Sequence, residues 1–457
     1  MEDLQLIDIV RDLLNLDGAA VVIESAGVTA LVVAAQKGYL EIVRELLDRG
    51  ASVDLAGAHG ETALMLAANN GQAGCLKILL DRGASVDATT NDGRTALMCA
   101  TEQGHVGCMK ILIDYGASVD ASDNDGRTVL MCAAKQGHVG CMKILLDYGA
   151  SVEAVKNDGS TVLMWAAEQG QADCLEILLD RGASVDASDN DGWSAVMCAA
   201  QWGQVGCLKI LLDHGASVDA ANNENWTALM VAAQGGQAGC MEMLIDYGAS
   251  VDAANTNNWS AVMCAVQRGQ VGCLKILIDR GASVDAVMND GHTAVILAAR
   301  EGHADCLKIL LVHGASVEAA LNGGWTALML AAQKGQVGCL KILLDHGASV
   351  VATMNGGWTA LMQAVKEGHA DCLKILLDHG VAESAAIKDG HPALMLAAKE
   401  GHADCLKILL DRGFLPAPKA SSALSSFISN ISSTGSMCMI CSERNCNVAL
   451  VHVQDKE

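Results

Sequence analysis

The cysteines near the C-terminal end have the spacing of a metal site. Cys438 and Cys441 form a C-x₂-C pair, as in a zinc thiolate knuckle, and Cys446 and His452 follow after four and five intervening residues. These four side chains could bind one zinc ion. The chain has no P-loop, G-x-S-x-G or H-E-x-x-H motif. We therefore expect no catalytic site, and no cofactor apart from this zinc ion.

Fifteen further cysteines suggest a disulfide or metal framework until their positions are compared. Eleven recur at intervals of 33 residues, namely Cys75, Cys108, Cys141, Cys174, Cys207, Cys240, Cys273, Cys306, Cys339, Cys372 and Cys405. Four more share a second repeated position, namely Cys99, Cys132, Cys198 and Cys264. Ile42 stands at the first of these positions one repeat earlier, which indicates a buried apolar site where cysteine acts as a small hydrophobe. We predict free thiols, because stacked helices lie ~8–10 Å apart, beyond the reach of a disulfide.

The same period governs the other signals between residues 24 and 413. Each repeat has a tight turn at a glycine, such as Gly93, or at Asn225 or Asn258, since asparagine also tolerates a positive φ. Two residues later comes a Thr or Ser typical of a helix N-cap, replaced once by Pro392. A short apolar helix, a glycine, an amphipathic helix and another glycine follow, and an extended segment leads to the next turn. A single repeat cannot bury its apolar faces, so the repeats must stack.

Residues 24–413 resemble ankyrin repeats. The recurring segments G-x-T-A-L-M-x-A-A-x-x-G-H and L-K-I-L-L-D-x-G-A-S-V-D-A carry the resemblance through twelve repeats of 33 residues. It implies an all-α repeat fold, a solenoid of helix-turn-helix units with projecting β-hairpin loops. In this family, partner proteins are usually held by the hairpin tips and the exposed side of the first helices. The family's T-P-L-H step reads T-A-L-M in most repeats here, which removes a histidine that ties neighbouring repeats together by hydrogen bonds.

Tryptophan is concentrated at one repeated position, directly after the turn Gly or Asn. We expect a solvent-exposed line of indoles there, with Trp165 and Trp202 beside it on first helices, and exposed aromatic side chains are typical of binding interfaces. The residues that end the first helices, such as Glu102 and Lys366, vary between repeats in the same way. The candidate partner-binding residues are Arg94, Arg127, Trp165, Trp193, Trp202, Trp226, Trp259, His292, Trp325 and Trp358. The alternative is that duplication copied a tryptophan that only covers the stem of the hairpin.

Both ends of the repeat array need caps, because a terminal repeat exposes a face built for packing. Residues 1–23 are predicted to hold an N-terminal capping helix, since residues 3–16 align with the second helix of the first repeat. Residues 414–436 are predicted to be either a Ser-rich linker or a C-terminal capping helix. Residues 437–457 form a cysteine-containing tail that resembles the opening of a RING finger. The chain ends before the remaining ligand pairs, so a truncated or vestigial RING finger is the alternative to a single zinc site.

Composition limits the partners. The formal net charge is −23, from 53 acidic and 30 basic residues, and an acidic surface repels nucleic acids and anionic membranes. No stretch reaches ~18 uninterrupted apolar residues, and the N-terminal segment lacks the basic region of a secretory signal. We expect a monomer in the cytoplasm or nucleus that binds neither nucleic acid nor membranes. The leading hypothesis is a non-enzymatic scaffold for partner proteins with basic or mixed-charge surfaces. The alternative is the substrate-recognition part of a RING-type E3 ubiquitin ligase whose RING finger is truncated in this chain.

Overall fold

A computed structural model describes residues 30–380, 387–388 and 391–414 of the chain. The chain divides between Thr256 and Asn257 into two compact units. Unit 1 precedes this boundary and unit 2 follows it. The predicted N-terminal capping helix at residues 3–16, the linker or capping helix at residues 414–436 and the cysteine-containing tail lie outside the described residues, apart from Phe414.

Unit 1 consists of seven helix pairs in its described residues, and each pair has a first helix followed by a second helix. Its helices are α1 (Ala30–Lys37), α2 (Leu40–Asp48), α3 (Ala63–Asn69), α4 (Ala73–Asp81), α5 (Ala96–Glu102), α6 (Val106–Asp114), α7 (Val129–Gln136), α8 (Val139–Asp147), α9 (Val162–Glu168), α10 (Ala172–Asp180), α11 (Ala195–Gln201), α12 (Val205–Asp213), α13 (Ala228–Gly235) and α14 (Ala238–Asp246). Each first helix packs against its own second helix and against the first helix of the next pair in the unit.

Unit 2 repeats this arrangement with five helix pairs in its described residues. Its elements are α15 (Ala261–Gln267), α16 (Val271–Asp279), α17 (Ala294–Glu301), α18 (Ala304–Val312), α19 (Ala327–Lys334), α20 (Val337–Asp345), α21 (Ala360–Glu367), α22 (Ala370–Asp378), β1 (Ile387–Lys388), β2 (His391–Pro392), α23 (Ala393–Glu400) and α24 (Ala403–Asp411). Strands β1 and β2 pair antiparallel, with Ile387 opposite Pro392.

The predicted caps and turns start and stop the helices. The hydroxyl of Thr62 accepts a hydrogen bond from the backbone N–H of Met65 at 3.4 Å, which satisfies one of the unpaired donors at the start of α3. Ser194 does the same for α11, with Met197 as the donor at 3.4 Å. The turn residue Asn225 has a φ of 61°, in the left-handed region where glycine stands in most other repeats. Both predictions, of the N-cap and of the turn, are therefore confirmed at these positions.

The core lies between first and second helices and consists of small and branched apolar side chains. Leu97, Cys108 and Leu112 are at most 1% exposed. Burial of a leucine of this kind contributes about 1.5–3 kcal/mol, and truncation of Leu112 to Ala would cost about 2–5 kcal/mol. All fifteen cysteines in the described part of the chain are free, and fourteen of them are buried, while Cys198 is half-buried. The prediction of free, mostly buried thiols is confirmed.

Side chains also tie each helix pair to its neighbour within a unit. Nε2 of His105 lies 3.1 Å from the backbone oxygen of Asn69, one repeat earlier. Where glutamine stands at this position its amide makes the same contact, as in Gln171, whose Nε2 donates to the oxygen of Lys135 at 3.5 Å. These contacts link neighbouring repeats through a position just after the glycine that ends the first helix. They join neighbouring repeats even though the T-P-L-H histidine is absent.

The fold class predicted from the repeat is confirmed. In the described residues, β-structure is limited to the β1–β2 pair and to single antiparallel bridges at the stems of the loops, such as that between Thr89 and Thr95. All other regular structure there consists of the paired helices. The chain is thus an all-α repeat protein whose loops between helix pairs are short hairpins.

Candidate protein-binding site

The residue after each turn lies beside the residue eight positions later, at the end of the first helix of the same repeat. Arg94 forms an ion pair with Glu102. We call the surface made by these two repeated positions, together with the exposed side of the first helices, the first-helix face. It is present in both units, and the backbone turn that leads into the N-cap directs each side chain along its own helix.

The same geometry recurs in unit 2. Nη1 of Arg300 lies 2.9 Å from Nε2 of His292, and Nζ of Lys366 lies 6.0 Å from the centroid of the Trp358 ring. His292 also lies beside Asp290, with 2.8 Å between Nδ1 and Oδ1. Burial acts to raise the pKa of Asp290, but hydrogen bonding to His292 lowers it overall, so this carboxylate stays charged.

A second kind of cluster surrounds Trp165 on α9. The guanidinium of Arg127 lies 5.9 Å from its ring centroid and Nζ of Lys135 lies 5.5 Å from it, so the indole sits between two cations. Nε of Arg127 is 3.1 Å from Oδ2 of the buried Asp123, which offsets one of the two positive charges. Lys135 and Asp123 were absent from the candidates chosen from the sequence. The spacing of eight residues from Arg127 would have pointed to Lys135.

The tryptophans after the turns are half-buried, so the expectation of a solvent-exposed line of indoles is wrong. Trp193, Trp226, Trp259, Trp325 and Trp358 all have this intermediate exposure. The reason is that the turn folds the side chain back over the first helix, where Lys366 contacts the ring of Trp358. Trp202 is different because it is 56% exposed, and it lies at the C-cap of α11 rather than within the helix.

The ten candidate partner-binding residues divide between the two units. Unit 1 holds Arg94, Arg127, Trp165, Trp193, Trp202 and Trp226, and unit 2 holds Trp259, His292, Trp325 and Trp358. All but Trp165 and Trp202 occupy the position after a turn.

The predicted zinc ligands lie in a part of the chain that the structure does not describe. Cys438, Cys441, Cys446 and His452 all belong to it, so the zinc site stays a prediction. Within the described ranges, no group of three or more His, Cys, Asp or Glu side chains could hold a metal ion. The helices of those same ranges are also too short to cross a membrane.

Paired short helices, joined by glycine turns and by hairpin loops, define a helical repeat protein. The family model for ankyrin repeats, which spans three copies, matches residues 3–90, 86–156, 151–222, 217–288, 282–354 and 350–419. The chain therefore belongs to the ankyrin-repeat family. The crystal structure of the human ASB11 ankyrin repeat domain matches with 28% sequence identity and a TM-score of 0.46, over 49% of this chain and 99% of that chain. Comparison with curated proteins found no match.

Proposed function

We propose that this chain is a non-enzymatic scaffold that holds partner proteins on its first-helix face and hairpins. Ankyrin repeats are general protein–protein interaction modules. The observation that carries the proposal is the contrast between two sets of positions. Buried positions such as Leu97 and Leu130 repeat almost unchanged, whereas the position after the turn changes from Arg94 and Arg127 to tryptophan and to His292. Packing alone would not require that variation, but recognition of a partner would.

The chemistry of this face suits binding. Aromatic and arginine side chains dominate the energetics of protein interfaces, especially where neighbouring groups exclude water. The half-buried tryptophans lose little conformational freedom when a partner covers them, because the first helix already restricts them. Trp202 leaves 56% of its surface in water, and covering so large an indole would be favourable.

Charge favours basic or mixed-charge partners. The chain carries a formal net charge of −23, and acidic side chains such as Asp81 and Asp114 are exposed at the ends of the second helices. A field of this sign attracts basic proteins and speeds their association at low ionic strength.

The test is a pull-down from cell lysate, read by mass spectrometry, with the intact chain and a variant that lacks the tryptophan column. In that variant alanine replaces Trp193, Trp226, Trp259, Trp325 and Trp358. The matched control changes Tyr115, Tyr148 and Tyr247 to alanine, since these exposed aromatic side chains lie at the ends of second helices. Circular dichroism verifies that each variant is folded.

We expect specific partner proteins to bind the intact chain and the tyrosine control and to be lost from the folded tryptophan variant. Retention of the same partners by all three proteins would place binding away from the tryptophan column and would support duplication as its origin. Loss from the tyrosine control alone would move the site to the second helices.

A further inference from the structure

Unit 1 contains a groove between the hairpins that precede α3 and α5. It has a volume of about 450 Å³, within the range of ~300–1,000 Å³ found for ligand sites. The two hairpins are joined across the groove, because the backbone N–H of Asn91 donates to the oxygen of His59 at 2.9 Å and its side-chain Nδ2 donates to the oxygen of Ala58 at 3.2 Å. The walls are therefore held in place by hydrogen bonds before any partner binds.

The groove combines an apolar floor with acidic walls. Met65 and Leu66 of α3 contribute to its lining, and so do the carboxylates of Glu61 and Asp92. Within the described residues, no hydrogen bond or ion pair engages the half-buried carboxylate of Glu61. A hydrogen bond from the hydroxyl of Thr90 lowers the pKa of Asp92, so this carboxylate is also charged at neutral pH.

The cation in the wall does not neutralise both acids. Arg94 lines the groove as well, but its guanidinium is paired with Glu102 at the end of α5. The groove therefore keeps an excess of negative charge beside an apolar surface. Bound anions would be repelled by it, and a simple metal ion would find too few ligands, since the described residues contain no group of three or more metal-ligating side chains.

We propose that this groove receives a lysine or arginine side chain from an extended segment of a partner protein. The methylene groups of that side chain would lie on Met65 and Leu66, and its charged end would lie between Glu61 and Asp92. Long basic side chains combine these two properties, an apolar stem and a cationic head, and hydrogen bonds between charged groups are the stronger ones. This inference rests on the proposed function and specifies one contact that the scaffold makes.

The test uses an array of short peptides with random flanks and a fixed central residue, which is Arg, Lys, Glu or citrulline. Citrulline matches arginine in shape but carries no charge. The array is probed with the intact chain, with Glu61→Gln and with Asp114→Asn as a matched control. Asp114 is exposed at the end of α6 and lies outside the lining of the groove, so this control removes one negative charge elsewhere in unit 1.

We expect peptides centred on Arg or Lys to be retained and the citrulline and Glu peptides to bind at least about fivefold more weakly, as a partly screened ion pair would require. Glu61→Gln should remove this preference, and Asp114→Asn should keep it. Equal binding of Arg and citrulline peptides, equal effects of the two variants or no retention of any peptide would overturn the proposal. The pull-down with the tryptophan variant decides the proposed function separately, since it changes no residue of this groove.

Discussion

Thr101 places an unpaired hydroxyl in the core of unit 1, and its replacement by valine should stabilise the protein. The residue is 0% exposed, and its Oγ1 has no hydrogen-bond partner in the described part of the chain. The equivalent residues are alanine in most repeats and valine at Val266 and Val365, so the position accepts a branched apolar side chain. Valine and threonine are close in volume and in helix propensity, so the change chiefly replaces the hydroxyl by a methyl group.

A buried polar group without a partner costs about 1–3 kcal/mol. Thr101→Val should therefore raise the free energy of unfolding around α5 by about that amount. Repeat proteins can open in segments, so the suitable assay is native-state hydrogen exchange of a peptide that spans Ala96–Glu102. Its amides should exchange roughly fivefold to a hundredfold more slowly, because each 1.4 kcal/mol is a factor of ten.

The matched control is Val266→Thr in unit 2, where the native side chain is also 0% exposed. It should accelerate exchange in α15 by a comparable factor. Unchanged or faster exchange in Thr101→Val would refute the reasoning, because the hydroxyl would then have a favourable partner such as a buried water molecule.

Three further predictions concern the thiols and the contacts between repeats. In a variant whose cysteines after residue 436 are changed to serine, the remaining fifteen should react with Ellman's reagent only after guanidinium is added, because burial protects them; a fast phase without denaturant would contradict this. Burial raises the pKa of Cys132 and Cys264 from about 9 to about 12, so the unfolded state ionises first. The stability that these thiols contribute should be complete below pH 9 and should be lost as the pH rises towards 12, and a Cys→Ala double variant should show a weaker loss in pH-dependent urea unfolding. His105→Ala removes the contact to Asn69 and should cost about 0.5–1.5 kcal/mol in urea unfolding, whereas an unchanged midpoint would make that contact unimportant.

Most of the fold could be predicted from the sequence because its signals are local. The hydroxyl of Thr62 and the left-handed turn at Asn225 act within a few residues of themselves, so their types at fixed spacing were enough to place the helix starts and the turns. The cysteines that recur every 33 residues could be assigned to the core because Ile42 replaces them once. Each of these predictions agrees with the structure at the described positions.

The candidate site was less predictable. The sequence placed the tryptophans at one repeated position but misjudged their exposure, and it did not show that Lys135 would share a ring with Arg127. It contained Glu61 and Asp92 but not the groove that they line together with α3 and α5. Spacing alone does not say which side chain of one repeat meets which side chain of the next.

The sequence by itself therefore determined the repeat, the helix boundaries and the identity of the core, because turn geometry, capping and apolar periodicity are properties of short segments. Only the tertiary structure decided which polar groups find partners. The hydroxyl of Thr101 is unpaired because the helices around it offer no partner, while Glu102, one residue later, reaches the guanidinium of Arg94. Partnership of this kind depends on where the backbone carries side chains that are distant in sequence, and that is settled by how the helix pairs of a unit pack.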